Sequence, residues 1–184
     1  MHEKEYKTAG AWSSIKACLQ TLDKSGLIDL IHTVYESDSE IQQALTARFV
    51  PTDQGVNRIR RRIMNLVYPN PLGSLPIRAG DALKIIKKFY KISDDPSATA
   101  AMLLDGIEAG TGQADDLGIE DDTYFNVLGQ MMRMLVALQE KLPRKDRRDI
   151  RDRLVRIYDL NKNIAWGHGD QLREVVRAVR RLSR

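Results

Sequence analysis

Between Asp122 and Leu142 apolar residues fall on two helical stripes rather than one: Phe125, Leu128, Met132 and Leu135 on the first, Val127, Met131, Met134 and Leu138 on the second. A helix that is apolar on two faces must be surrounded by other elements. Those elements should be helical as well. Apolar residues recur at spacings of three and four along nearly the whole chain, and strict alternation over strand-like lengths is missing. The expected fold class is all-α.

The same periodicity places the other helices. A short one is expected over Ser13–Thr21, then Ser25–Glu36 with Leu27, Ile31, Val34 and Tyr35 on one face. Ser37 followed by Glu40 has the spacing of a capping box for a third helix that ends near Phe49, before Pro51. Asp53 can cap the next, whose stripe is Val56, Ile59, Ile63, Leu66 and Val67. Residues 69–76 hold three prolines and a glycine and read as a loop or hinge, because proline removes a donor and fixes φ. A helix from about Arg78 to Ile92 follows, with Leu83, Ile86, Phe89 and Tyr90 on one side and lysines away from it. Asp94 or Asp95 can cap an alanine-rich helix that should end near Gly110 or Gly112, with Pro96 in its first turn. Pro143 opens an arginine-rich helix with a narrow stripe at Ile150, Leu154, Ile157 and Tyr158. After a break at residues 166–169, a last helix carries Leu172, Val175, Val176, Val179 and Leu182. Eight or nine helices with short connections imply antiparallel hairpins, arranged as a bundle or as a short right-handed stack of helix pairs.

At 184 residues, 42% hydrophobic and 29% charged, the chain suits one ordinary globular domain, 1–184, with residues 1–10 expected to be flexible. The only cysteine, Cys18, excludes an intramolecular disulfide, and His2, His32 and His168 lie too far apart for a local zinc motif. The charged start, Met1 to Lys7, does not read as a signal peptide, and no window approaches the roughly 18 apolar residues of a membrane span. A cytoplasmic protein is expected, with no metal and no cofactor.

Charge is distributed in blocks. Residues 1–91 carry 14 basic and 9 acidic side chains, residues 92–140 only Arg133 against ten acidic ones, and residues 141–184 carry 14 against six. The acidic middle can lie against a basic helix within the fold, or the basic helices can serve a polyanion. The sharpest basic feature is the last helix, where Arg173, Arg177, Arg180 and Arg184 stand four, three and four apart with Arg181 beside them. Such a stripe could neutralise phosphates along a nucleic acid, although no base-stacking aromatic is interleaved with it. Arg58, Arg60, Arg61 and Arg62 form a denser cluster on the exposed arc of their helix. Of these, Arg58, Arg61 and Arg62 could join the polyanion surface if the fold brings both helices onto one face. In the helix after Pro143, Asp149 to Arg153 and Asp152 to Arg156 have the spacing for internal ion pairs.

Two further motifs invite chemistry. The acidic run from Asp115 to Asp122 lacks the alternate oxygen ligands of a calcium loop, and its aspartates suit the capping of the following helix. Trp166-Gly167-His168-Gly169-Asp170 sets a histidine between glycines, with Asp170 placed to cap the last helix, whose N-terminus can also receive an anion. Catalysis by His168 would require a positioned nucleophile or carboxylate, and no serine or cysteine motif supplies one. The expectation is a packed turn, and a chain that is not an enzyme.

Several segments together resemble a family of small bacterial helical proteins known only as a domain of unknown function. They are Leu27-Ile28-Asp29-Leu30-Ile31 with Val34-Tyr35, Ala47-Arg48-Phe49, Phe89-Tyr90-Lys91, the acidic turn before Tyr124-Phe125, and Trp166-Gly167 with Asp170. The family pattern sets an aromatic and a histidine directly before the aspartate, whereas His168 is followed here by Gly169. The resemblance implies an all-helical cytoplasmic protein and no particular activity. The function expected is a protein-protein interaction module, with nucleic-acid binding through the arginine stripe as the alternative.

Overall fold

The computed structural model describes residues 3–50, 53–69, 76–164 and 167–182, with side chains described throughout except at 3–10 and 53–54. Within them are nine α-helices and no strand, so the chain is all-α. They are α1 (Glu3–Leu19), α2 (Lys24–Ser37), α3 (Ser39–Phe49), α4 (Asp53–Val67), α5 (Ala79–Ser93), α6 (Pro96–Leu117), α7 (Asp122–Leu138), α8 (Arg144–Asn161) and α9 (His168–Leu182), with a single 3-10 turn at Gln139–Lys141. By its contacts the chain separates into two compact units, residues 1–42 and 43–184.

The first unit holds α1, α2 and the start of α3. Its α1 is longer than the expected Ser13–Thr21, beginning at Glu3. Asp23 caps α2 by accepting from the Gly26 amide at 2.8 Å. Despite its apolar content α2 buries no residue completely. At the next helix start the capping group is Asp38, one residue beyond the expected Ser37. Its Oδ1 accepts from the Glu40 amide at 2.7 Å, whereas the Ser37 hydroxyl turns back to the Val34 carbonyl. A carboxylate directly before the first turn meets the free N–H groups more closely than a hydroxyl one residue further out.

The second unit is a stack of three helix pairs. In chain order α4 packs on α5, α6 on α7, and α8 on α9. Between pairs, α4 packs on α6 and α6 on α8, while α5 packs on α7 and α7 on α9. Two layers result, α4–α6–α8 and α5–α7–α9, with the α6–α7 pair in the middle. Of the two arrangements left open by the sequence, the contacts are those of stacked helix pairs. The two-stripe helix α7 is indeed enclosed: Phe125, Leu128, Met131, Met132 and Leu135 are buried.

Its partner α6 is at least as deep. It runs through Gly110 and Gly112, where an end was expected, and stops at Gly118 in the left-handed conformation (φ 58°). Glycine is a poor helix residue in isolation, but it permits close packing. A Cβ at Gly110 would fall 2.5 Å from Leu128 and 3.1 Å from Val67, so the absent Cβ leaves room for these side chains of α7 and α4 against α6. The expected caps hold at both helices of this pair. Asp95 accepts from the Ala98 amide at 2.9 Å ahead of Pro96, and Asp121 accepts from Thr123 and Tyr124 at 2.7 and 3.3 Å.

Candidate functional site

The layer α4–α6–α8 is crossed by a ladder of ions that no local motif announces. Asp105, in the middle of α6, is only 4% exposed at its side chain. Arg60 of α4 binds it with both edges of the guanidinium, Nε donating to Oδ2 at 2.6 Å and a terminal nitrogen to Oδ1 at 3.1 Å. Arg153 of α8 reaches the same carboxylate from the other side at 2.8 Å, and donates through Nε to Glu108 at 2.6 Å. A buried carboxylate needs such partners, because its desolvation is otherwise prohibitive. The hydrogen bond to Asp105 holds the Arg60 proton more tightly than in a free guanidinium.

This geometry corrects two expectations. Arg60 does not share the exposed arc of Arg58, Arg61 and Arg62, since it turns into the fold. The ion pair expected between Asp149 and Arg153 inside α8 gives way to Arg153 binding α6, and Asp152 pairs with its neighbour Arg151 at 2.8 Å. The buried carboxylate of Asp105 offers Arg153 a drier environment than Asp149, and there an ion pair is stronger. The acidic middle segment therefore does compensate basic helices, but those of α4 and α8.

Around this ladder lie two neighbouring clefts. One, of about 710 Å³, is lined by Asn57, Arg58, Arg60, Arg61, Met64, Asp105 and Arg153. The other, of about 500 Å³, is lined by Arg58, Arg61, Arg62, Asn65, Leu66, Pro76 and Arg78. Arg58 and Arg61 border both and are exposed. Of the lining cations, Arg78 is paired with Asp81 at 2.7 Å.

The arginines of α9 stand elsewhere. Arg177, Arg180 and Arg181 are exposed, and Arg173 is tied to Asp170 at 2.7 Å. Arg184 lies outside the described residues. Because α4 belongs to the first pair and one layer, and α9 to the third pair and the other layer, the two arginine sets do not share a helix pair or a layer.

The glycine-flanked histidine is a packed group. Gly167 takes φ 70°, which suits glycine, and α9 begins at His168 itself, so Asp170 sits inside the first turn rather than at the cap. Trp166 lies outside the described residues. Gly169 is required for a different reason: a Cβ there would collide with the Lys162 carbonyl. His168 is completely buried, its Nε2 lies 3.0 Å from the Thr111 hydroxyl of α6, and its ring lies 5.1 Å from that of Phe125. Burial lowers its pKa to about 4, so the ring is neutral near pH 7. Its Nδ1 is buried with no hydrogen-bond partner among the described residues. A bare lone pair is cheaper to bury than a bare N–H, which favours Nε2–H donating to Thr111.

The acidic run after Asp115 serves structure, with Asp121 capping α7 and Asp116 accepting from the Tyr68 hydroxyl at 2.5 Å. Among the described residues no group of three or more His, Cys, Asp or Glu side chains could hold a metal ion, and no helix is long and apolar enough to cross a membrane. No family model, curated protein or solved structure matches the chain.

Proposed function

We propose that this chain is a non-catalytic, cytoplasmic protein-interaction module whose partner protein is taken by apolar side chains of α2. One observation carries the reading. Ile28 and Ile31 are 55% and 57% exposed, and Leu30 and Val34 are exposed beside them on the same helix. Large apolar side chains gathered on one surface helix mark interaction sites on soluble proteins. An amphipathic helix offering such residues at spacings of three and four suits docking into an apolar groove. Helical stacks commonly serve binding rather than chemistry, an argument by analogy of fold. The free, exposed Cys18 fits a reducing compartment, and the resemblance to the small bacterial helical family fits the same setting.

The non-catalytic reading rests on His168, the residue best placed by sequence for acid–base work. It is buried, neutral and bonded to a threonine rather than to a carboxylate. The test is capture of a partner from the native host by the wild type and by Ile28→Lys/Ile31→Lys. A partner held by the wild type and lost by the variant is expected, and equal capture by both would refute the assignment to α2.

A second reading, nucleic-acid binding by α9, is favoured by the exposure of Arg177, Arg180 and Arg181. Under it, log K for duplex DNA falls with log salt by about 0.9 per phosphate contact, and Arg177→Ala/Arg180→Ala reduces that slope by about two units. An unchanged slope would remove it.

A further inference from the structure

The geometry points to a binding site for a small anion carrying two phosphoryl groups, in the paired clefts over α4. This inference is independent of the α2 assignment. It begins with an imbalance: among the described residues that line the larger cleft stand four guanidinium groups, of Arg58, Arg60, Arg61 and Arg153, against one carboxylate, that of Asp105. Glu108 offsets part of the charge of Arg153 from beside the cleft.

Asp105 also arranges two of those cations. By holding Arg60 on two bonds it fixes the plane of that guanidinium and uses two of its five N–H donors, leaving three. The Arg60 side chain keeps 33% of its surface exposed, so those donors are not all enclosed by protein. A guanidinium fixed in this way binds an oxyanion with little further loss of rotamer freedom.

The number of donors selects the ligand. One carboxylate, Asp105, already engages two guanidinium groups, so a second single carboxylate could not serve Arg58 and Arg61 and also the remaining donors of Arg60. A diphosphate offers several oxygens and more than one negative charge, and arginine forks match phosphate oxygens in pairs. Arg58 and Arg61 border both clefts, so one ligand can reach either side of them. Volumes of about 710 and 500 Å³ lie in the usual range for small-molecule sites. Met64 in one cleft and Leu66 with Pro76 in the other supply apolar wall for an organic body. Among the described residues no aromatic side chain lines either cleft, which disfavours stacked single-stranded nucleic acid.

The experiment is calorimetric titration of the full chain with inorganic pyrophosphate at about 50 mM salt, repeated with orthophosphate, a duplex of about 20 base pairs and poly-glutamate. One site for pyrophosphate is expected, with Kd below about 100 µM and orthophosphate at least about tenfold weaker. Arg58→Ala/Arg61→Ala changes exposed residues, so circular dichroism should be unaltered, and it should weaken pyrophosphate at least about tenfold. Arg177→Ala/Arg180→Ala removes equal charge from α9 and should change affinity less than about threefold. The site is refuted by no heat with pyrophosphate up to about 1 mM. Equal weakening by both variants, or tighter binding of the duplex or of poly-glutamate with the same dependence on Arg58 and Arg61, would also overturn it.

Discussion

Helices α2 and α7 carry similar apolar side chains at similar spacings, yet their outcomes are opposite. In α7 the side chains of Leu128, Met131, Met132 and Leu135 are buried, whereas in α2 those of Ile28, Leu30, Ile31 and Val34 stay exposed. The difference lies in what surrounds them. Gly106 and Gly110 on α6 allow α7 to sit so close that a Cβ at either position would press on Met131 or Leu128. In α2 no residue is buried. Helical periodicity therefore identifies a face that prefers to leave water, and only the partners decide whether the chain itself covers that face. In α7 the apolar face is buried within the fold, while in α2 it stays exposed, and the proposed function assigns it to a partner.

The largest predicted effect deepens this contrast from the α7 side. Met131→Asp should destabilise the second unit by about 4 kcal/mol or more, because an unpaired carboxylate would replace a fully buried thioether. Urea unfolding followed by circular dichroism checks it, and a loss below about 1 kcal/mol would mean that α7 is not enclosed.

Next comes the polar part of the same core. Asp105→Ala should cost roughly 3 kcal/mol by taking the carboxylate from Arg60 and leaving Arg153 with Glu108 alone, an effect moderated because both guanidinium groups remain about one-third exposed. Asp105→Asn, which keeps acceptor capacity, should cost less. The reverse order in chemical denaturation would show that the ladder does not hold the layer together.

Acid should act through His168 by a similar amount. Its pKa falls from an ordinary 6.5 to about 4 in the folded chain, so between those values the unfolded chain binds the proton more readily. Stability from this group is complete above about pH 6.5 and is lost as pH falls toward 4, reaching roughly 3 kcal/mol. His168→Gln should flatten the pH dependence of the melting temperature in that window, and an unchanged dependence would assign it to other groups. A smaller effect is expected from Thr111→Val, about 1 kcal/mol for one buried hydrogen bond, measured by the same unfolding assay.

The all-helical class was legible because Ile59, Ile63, Leu83, Ile86, Leu154, Val175 and Val179 recur at helical spacing and all are buried. The end of α6 was misread because glycine normally stops a helix, and nothing near Gly110 in the chain reveals the approach of Leu128 and Val67. Arg58, Arg61 and Arg62 of α4 and Arg177, Arg180 and Arg181 of α9 were legible as exposed cations, but not the ladder, whose members Arg60, Asp105 and Arg153 lie 45 residues or more apart. One signal was present: a single aspartate inside Met102-Leu103-Leu104-Asp105-Gly106-Ile107 is a charge in an apolar run, and such a charge requires partners. His168 was legible as a packed turn, though its bond to Thr111 depends on the fold bringing α6 to the start of α9.

The claim that α2 keeps its apolar face for a partner can be tested without knowing that partner. Equilibrium unfolding of Ile31→Lys against the wild type measures whether Ile31 belongs to the chain's own core. The account predicts a change within about 0.5 kcal/mol, as for surface substitutions, with an unaltered helix signal. A loss of about 2 kcal/mol or more, the usual cost of removing a buried isoleucine, would contradict it.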